Sequence, residues 1–427
     1  MAYEHSQRNG TMKIAAVVAI ILLAILVAPL AQAQTFTVLH TFTGGADGAG
    51  PFAVTLDAAG NLYGDTTYGA EHTSYCLEYG CGTAYKLSQH GSNWILSTLH
   101  SFLGNVDGSR PGALTLASDG TLYGVSNGAN PYVRVFRLQP PISPCHAIQC
   151  NWSYATIYSF NEDDNNGAYP GQGPLAFDRS GNIYGVTPLG GNNGCNNDNN
   201  SCGTVFELSQ SGGTWNVDFI HLFSGTDGSN PGTSEGLILD RFGNLYGTTS
   251  LGGPTRNYGM VFQLVPSGSG WNENVVYAFA HDNDDQGRNP QAGVTMDSSG
   301  NLYGTNTVGG AHDGGAAFEL SYSSEWDVSK LYSFATGTGG SYAALTLGPD
   351  GNLYGTTSSG GQNGKGAVFQ LTSDGGSWTY TSLHDFTGGA DGSFPYGSVV
   401  FDAQGNLYGA AYSGGADNAG VVFQITP

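Results

Sequence analysis

Positive charge is scarce in this sequence: 12 Lys and Arg stand against 33 Asp and Glu, a formal net charge of −21 at pH 7. A chain so poor in cations has little electrostatic means of holding nucleic acid or an anionic membrane surface, and neither is expected as a partner. Helical patterning is missing as well. No window carries apolar residues at three- and four-residue spacing between helix caps. The common catalytic signatures are absent: there is no Gly-x-Ser-x-Gly elbow, no His-Glu-x-x-His, no P-loop and no dinucleotide fingerprint. Long apolar runs are limited to one, residues 14–30. With Lys13 before it and Ala31-Gln32-Ala33 after it, this run reads as a secretory signal peptide cleaved after Ala33. An uncleaved anchor is the alternative, because the run approaches the roughly 20 residues that a membrane span requires. The expectation is that residues 1–33 are removed and that 34–427 form a single exported domain, extracellular or periplasmic.

Cysteine is sparse but ordered. The six fall into three close pairs, Cys76/Cys81, Cys145/Cys150 and Cys195/Cys202. In an exported chain, an even number and close pairing favour local disulfides that clip loops. Half of a zinc site is the alternative, but no second close-spaced ligand pair accompanies them.

What the chain has in abundance is glycine, 68 residues, and most of it is periodic. Gly-Asn-Leu-Tyr-Gly occurs at 60–64, 243–247, 300–304, 351–355 and 405–409, with Ile183 replacing Leu at 181–185 and Thr121 replacing Asn at 120–124. Seven tyrosines mark the copies: Tyr63, Tyr123, Tyr184, Tyr246, Tyr303, Tyr354 and Tyr408. Periods of this length are the signature of repeat architectures. Each period holds four short segments rich in β-branched and aromatic residues and bounded by Gly, Asn, Asp or Ser, which are strand signals. Segment a is apolar and ends in Asp. Segment b is the Asn-Leu-Tyr-Gly run. Segment c is Gly-x-Val-Phe-x-Leu, and segment d runs from Trp to Phe.

The a–b link, Asp-x-x-Gly-Asn, is a hairpin turn in which Asp bonds the backbone ahead and Gly takes positive φ. Two copies lack that Asp, having Ala117 and Gly348, and place Asp119 and Asp350 beside the turn glycine instead. Turn chemistry explains this exchange; a ligand requirement would not. All six Trp open a segment d, six residues before a slot held by His100, Tyr158, His221, Tyr277, Tyr332 or His384. Free exchange between His and Tyr points to an aromatic packing position with a polar tip rather than to metal ligation or catalysis.

Six complete d segments follow their own a–b–c sets. A seventh d, with His40 and Phe42 in register, stands alone at residues 36–42, and the last repeat stops at c. Four antiparallel strands per repeat suit a propeller blade. The expected fold is therefore an all-β, seven-bladed β-propeller whose N-terminal strand completes the last blade. Closure also removes exposed sheet edges.

The b–c and d–a loops are long and Gly-rich and share one face. Loops carry function more often than strands, so this is the expected binding face. Its d–a loops repeat Asp-Gly-x-x-Pro or a relative, giving Asp47, Asp107, Asp227 and Asp391 as candidate ligand-binding residues. They fit either Asx turns or a site for a polar ligand or calcium. The cysteine-bounded loops 73–82 and 192–203 lie on the same face. Glu235, the off-pattern charge entering a segment a, is the weak candidate for a catalytic acid at the channel mouth.

Gly-Asn-Leu-Tyr-Gly-Thr-Thr, a Gly-Gly loop, Gly-x-Val-Phe-x-Leu and Trp…Phe, repeated over residues 34–427, resemble the GloVer tandem-repeat family of exported bacterial proteins. The resemblance implies export and brings no catalytic residues with it. Many members of that family carry a C-terminal anchoring or sorting tail. This chain ends on a strand and so resembles a released or periplasmic member. The hairpin also looks like that of NHL-type and gluconolactonase-like propellers. The expected function is a non-enzymatic binding or scaffold module for a polysaccharide, protein or surface partner. An extracellular hydrolase or lyase and a calcium-stabilised scaffold are the alternatives.

Overall fold

The computed structural model describes residues 34–426 apart from 71–72, 77–78, 128–131, 142–151, 162–166, 168–169, 192–200, 233–235, 255–256, 269, 281–284 and 338–340. These residues form seven antiparallel sheets in a ring, each with strand order a-b-c-d. Blade 1 spans 49–101, blade 2 109–161, blade 3 176–222, blade 4 229–278, blade 5 295–333 and blade 6 346–385. Blade 7 takes its a, b and c strands from 400–426, and its d strand is Thr35–Thr41 from the other end of the chain. In blades 2 and 4 the innermost strand is broken in two. Among the described residues no α-helix occurs, and none is long and apolar enough to cross a membrane.

The repeated pentapeptide is accounted for residue by residue. In blade 1 the turn closes through Gly60 N–H donating to Asp57 O at 3.0 Å, with Gly60 at φ +83°, a conformation that costs a residue with a Cβ. Asp57 Oδ1 accepts from the amides of Ala59 and Asn61, and Oδ2 from Asn61 Nδ2 and the Tyr63 hydroxyl. The motif's Asn and Tyr are thus both partners of the turn aspartate. Blade 6 confirms the exchange expected from sequence: Asp350, two residues later, accepts from Asn352 Nδ2 and from the Tyr354 hydroxyl at 2.7 Å. Leu is core. The second Gly makes room for the Phe of segment c. A Cβ on Gly409 would stand 2.5 Å from Phe423 Cζ.

The hydrophobic core is seven clusters, each straddling two neighbouring blades. At every seam the Phe closing segment d meets the segment-c ring of the next blade. The pairs Phe102–Phe136, Phe160–Phe206, Phe223–Phe262, Phe279–Phe318, Phe334–Phe369, Phe386–Phe423 and Phe42–Tyr85 have centroids 5.0–5.4 Å apart. Edge-on and tilted contacts of this kind contribute roughly 0.5–1.5 kcal/mol beyond area burial. The motif Tyr packs across a seam too, against the Trp that opens the next segment d, in Tyr63–Trp152, Trp94–Tyr408, Tyr184–Trp271 and Tyr303–Trp378. Blades repeat because neighbours have to fit one another.

Candidate functional site

The four d–a aspartates have a partner that sequence reading missed. Asp47, Asp107, Asp227 and Asp391 each face the histidine of their own segment d. His40–Asp47 is 3.3 Å, His100–Asp107 2.9 Å, His221–Asp227 3.5 Å and His384–Asp391 3.1 Å. Each aspartate also accepts from a loop amide, that of Thr43, Leu103, Ser224 or Thr387. The signal was present in the sequence as co-occurrence. The tidy Asp-Gly loop follows His, while blades with Tyr158, Tyr277 or Tyr332 in the slot have a looser loop or none. In blade 4, Tyr277 donates to Gln286 Oε1 at 2.6 Å instead.

The slot rings pack across the seams as aromatic positions: His100 stacks on Tyr154, Tyr332 on Tyr380 and His384 on Phe36. Burial lowers the pKa of His40 and His384, outweighing the raising effect of Asp47 and Asp391. Burial would raise Asp391, but bonds from Thr387 and His384 more than offset it and leave its pKa lowered. Both shifts favour a neutral His384 imidazole beside an ionised Asp391 carboxylate.

Other sequence candidates are placed as follows. Cys76 and Cys81 form a disulfide. It holds the loop carrying Tyr75 and Tyr79, both more than half exposed. Cys202 is buried and disulfide-bonded, while Cys145, Cys150 and Cys195 lie outside the described residues. So does Glu235. The long-loop face also carries a tyrosine ridge, with Tyr68 against Tyr79 and Tyr412, and Tyr412 against Tyr396. Arg110 covers the Tyr68 ring at 5.5 Å. Arg110, Asn230, Asn289 and Phe394 stand at φ between 48° and 59° before a proline. Their amides donate to Cys81, Cys202, Tyr258 and Lys365 carbonyls of the preceding blade at 2.8–2.9 Å. That over-determination holds the strained backbone and makes it an inter-blade clamp.

A large cleft opens on the other face, among the short a–b and c–d links rather than on the face expected to bind. It encloses about 760 Å³ between blades 4 and 5. Phe242, Tyr322 and Trp326 supply its rings, and Phe242 and Tyr322 are 72% and 62% exposed. Phe242 sits in a turn position that the other six repeats fill with Ala59, Asp119, Ser180, Ser299, Asp350 or Gln404. Arg241 lies 4.7 Å from the Phe242 ring centre. One wall is a polar ladder across blade 4. Asn274 Nδ2 donates to Gln263 Oε1 at 3.0 Å, Gln263 Nε2 to the Tyr246 hydroxyl at 2.7 Å, and that hydroxyl to Asp240 Oδ2 at 3.4 Å. Asp297 and Ser299 of blade 5 face it. Exposed rings beside fixed amides and carboxylates can stack on a sugar face and bond its hydroxyls.

Comparison with known proteins agrees with the repeat reading. The family model of the Gloeobacter/Verrucomicrobia repeat matches residues 234–427, which hold most of blade 4 and all of blades 5 and 6, and the register continues through blades 1 to 3. No curated protein matches the chain. Among solved structures, it is similar to the extracellular domain of a candidate one-component system from B. thetaiotaomicron, at 10% identity and TM-score 0.53, covering 92% of this chain and 40% of that one. It is also similar to a candidate 6-phosphogluconolactonase from Bacteroides uniformis, at 14% identity and TM-score 0.51, covering 83% of this chain and 98% of that one. The chain thus spans less than half of the first structure's length. At these identities the likeness is one of fold.

Proposed function

We propose that this chain, a member of the Gloeobacter/Verrucomicrobia repeat family, is an exported, non-enzymatic propeller that binds a polysaccharide in the cleft between blades 4 and 5. The observation carrying this reading is the exposed Phe242 beside the Tyr322–Trp326 pair, whose centroids are 5.2 Å apart, facing the ladder of Asp240, Gln263 and Asn274. Exposed aromatic area is costly to leave in water, and repeats that need only a turn at this position use small or polar residues. Export rests on the residue 14–33 pattern and is supported by the Cys76–Cys81 disulfide, since such bonds persist in oxidising compartments. The chain's negative charge favours a neutral or cationic glycan over an anionic one.

The test is a glycan array probed with the mature chain, followed by calorimetry on the best hit and mass spectrometry of that glycan after long incubation. Saturable binding with the glycan intact is expected. Absence of binding to any class, or release of shorter products, overturns the reading.

A further inference from the structure

At the seam between blades 3 and 4 the repeat is broken by a carboxylate. The residue two places after the Trp of segment d faces the slot ring of the preceding blade. It is Tyr154 against His100, Tyr380 against Tyr332 and Phe36 against His384. At the remaining seams this position holds Leu96, Val217 and Val328. In blade 4 it is Glu273, whose Oε2 lies 4.0 Å from His221 Nε2. His221 is also the histidine with the longest contact to its aspartate, 3.5 Å to Asp227 Oδ2.

The site is built and partly dry. The side chains of His221 and Glu273 are 15% and 13% exposed. His221 Nε2 and Glu273 Oε1 have no surface of their own and no hydrogen-bond partner among the described residues. Buried polar atoms without partners are rare because they forfeit hydration without replacement. Burial raises the Glu273 carboxyl to about 7, with Asp227 adding to the effect and His221 opposing it. The donor atoms are held in place. Asp227 Oδ1 accepts from the Ser224 amide and hydroxyl at 2.6 and 2.8 Å, leaving Oδ2 toward His221, and the His221 ring packs edge-on to Phe223 at 4.6 Å.

We propose that His221, Asp227 and Glu273 form a divalent metal site of the zinc class. One nitrogen and two carboxylate oxygens lie within 4.8 Å of one another. A tetrahedral ion with bonds of about 2.0–2.2 Å sets its donors roughly 3.3–3.6 Å apart, so the His–Asp spacing already fits and the Glu oxygen needs a small inward movement. The imidazole selects against calcium, which takes six to eight oxygens. Asp227 is 25% exposed, so water can supply the fourth ligand. The three other His–Asp pairs meet a ring or an aliphatic side chain instead of a third donor and serve as internal controls. None of the three residues lines the cleft between blades 4 and 5.

Zinc chloride is titrated calorimetrically into the chelator-treated mature protein, and cobalt(II) is used as a visible-absorption probe of geometry. One ion per chain is expected, with a tetrahedral cobalt spectrum. Glu273→Gln and His221→Tyr should each weaken zinc binding at least tenfold; the second puts in the residue that three other blades use in this slot. His100→Tyr should leave it unchanged. Melting curves without metal establish that each variant is folded. No stoichiometric binding by the wild type, or binding that survives both variants at this seam, overturns the proposal.

Discussion

Phe42, at the end of the N-terminal strand, lies 5.2 Å from Tyr85 with the rings inclined at 62°, and this contact completes the ring of seams. The Phe42 amide donates to Gly420 O at 3.0 Å, so one residue ties the first segment of the domain to the last strand and to blade 1. Phe42 is fully buried. Phe42→Ala should lower unfolding free energy by about 3–5 kcal/mol, the usual result of emptying a core phenyl site. Urea denaturation followed by tryptophan fluorescence measures it.

Tyr85 replaces the phenylalanine of the other six seams, and its buried hydroxyl has no partner among the described residues. Asp65 in the same blade is fully buried with both oxygens unpartnered. Burial raises its pKa well above the usual value. In blades 4, 5 and 6 this slot is Thr248, Thr305 or Thr356, whose hydroxyls donate to carbonyls of the next blade at 2.8–3.2 Å. A carboxyl whose folded pKa is raised contributes most below its unfolded pKa of about 4, and that contribution is lost as pH rises through the folded value. Asp65→Thr should therefore stabilise the protein more at pH 7 than at pH 4. Tyr85→Phe should stabilise it by about 1 kcal/mol or more at both. Melting temperatures of the two variants across that range check the ordering.

The His384–Asp391 pair makes the opposite prediction. Both groups have lowered pKa values in the folded protein. Their contribution is present above the unfolded values, about 6.5 for His and 4 for Asp, and is lost as pH falls through the folded ones. Stability should decline below pH 6.5 and again below pH 4. His384→Tyr should flatten the first decline, with Phe36 still available for stacking. His40 adds to that decline, so the flattening is partial. Urea midpoints from pH 7 to pH 5 resolve it.

In the cleft, Phe242→Ala and Trp326→Ala should separate binding from folding. Phe242 is 72% exposed, so its removal should change stability by no more than about 0.5 kcal/mol. If it is a stacking platform, its loss should weaken glycan binding by roughly 2 kcal/mol or more, about thirtyfold. Trp326 is half-buried and packs in the seam, so its variant should lose both. Calorimetric binding and melting on the same samples distinguish the two.

The blade count, the four strands of each blade, the turn aspartates with their exchanged positions in blades 2 and 6, and the closing strand were all legible in the residues. Each is written within one period, in turn chemistry and alternation acting over a few residues, and seven copies reinforce the same reading. The histidine–aspartate pairs were legible in principle, because the two residue types come and go together, but the argument from His–Tyr exchange considered the slot alone. The tertiary structure decided what one blade presents to the next. His221 meets Glu273, and Phe242 shares a cleft with Trp326, because neighbouring sheets bring together positions from different repeats. Local patterning cannot rank such contacts: they depend on the angle and packing of two sheets. A single residue that departs from its repeat, such as Glu273 or Phe242, acquires meaning only once its neighbour across the seam is known.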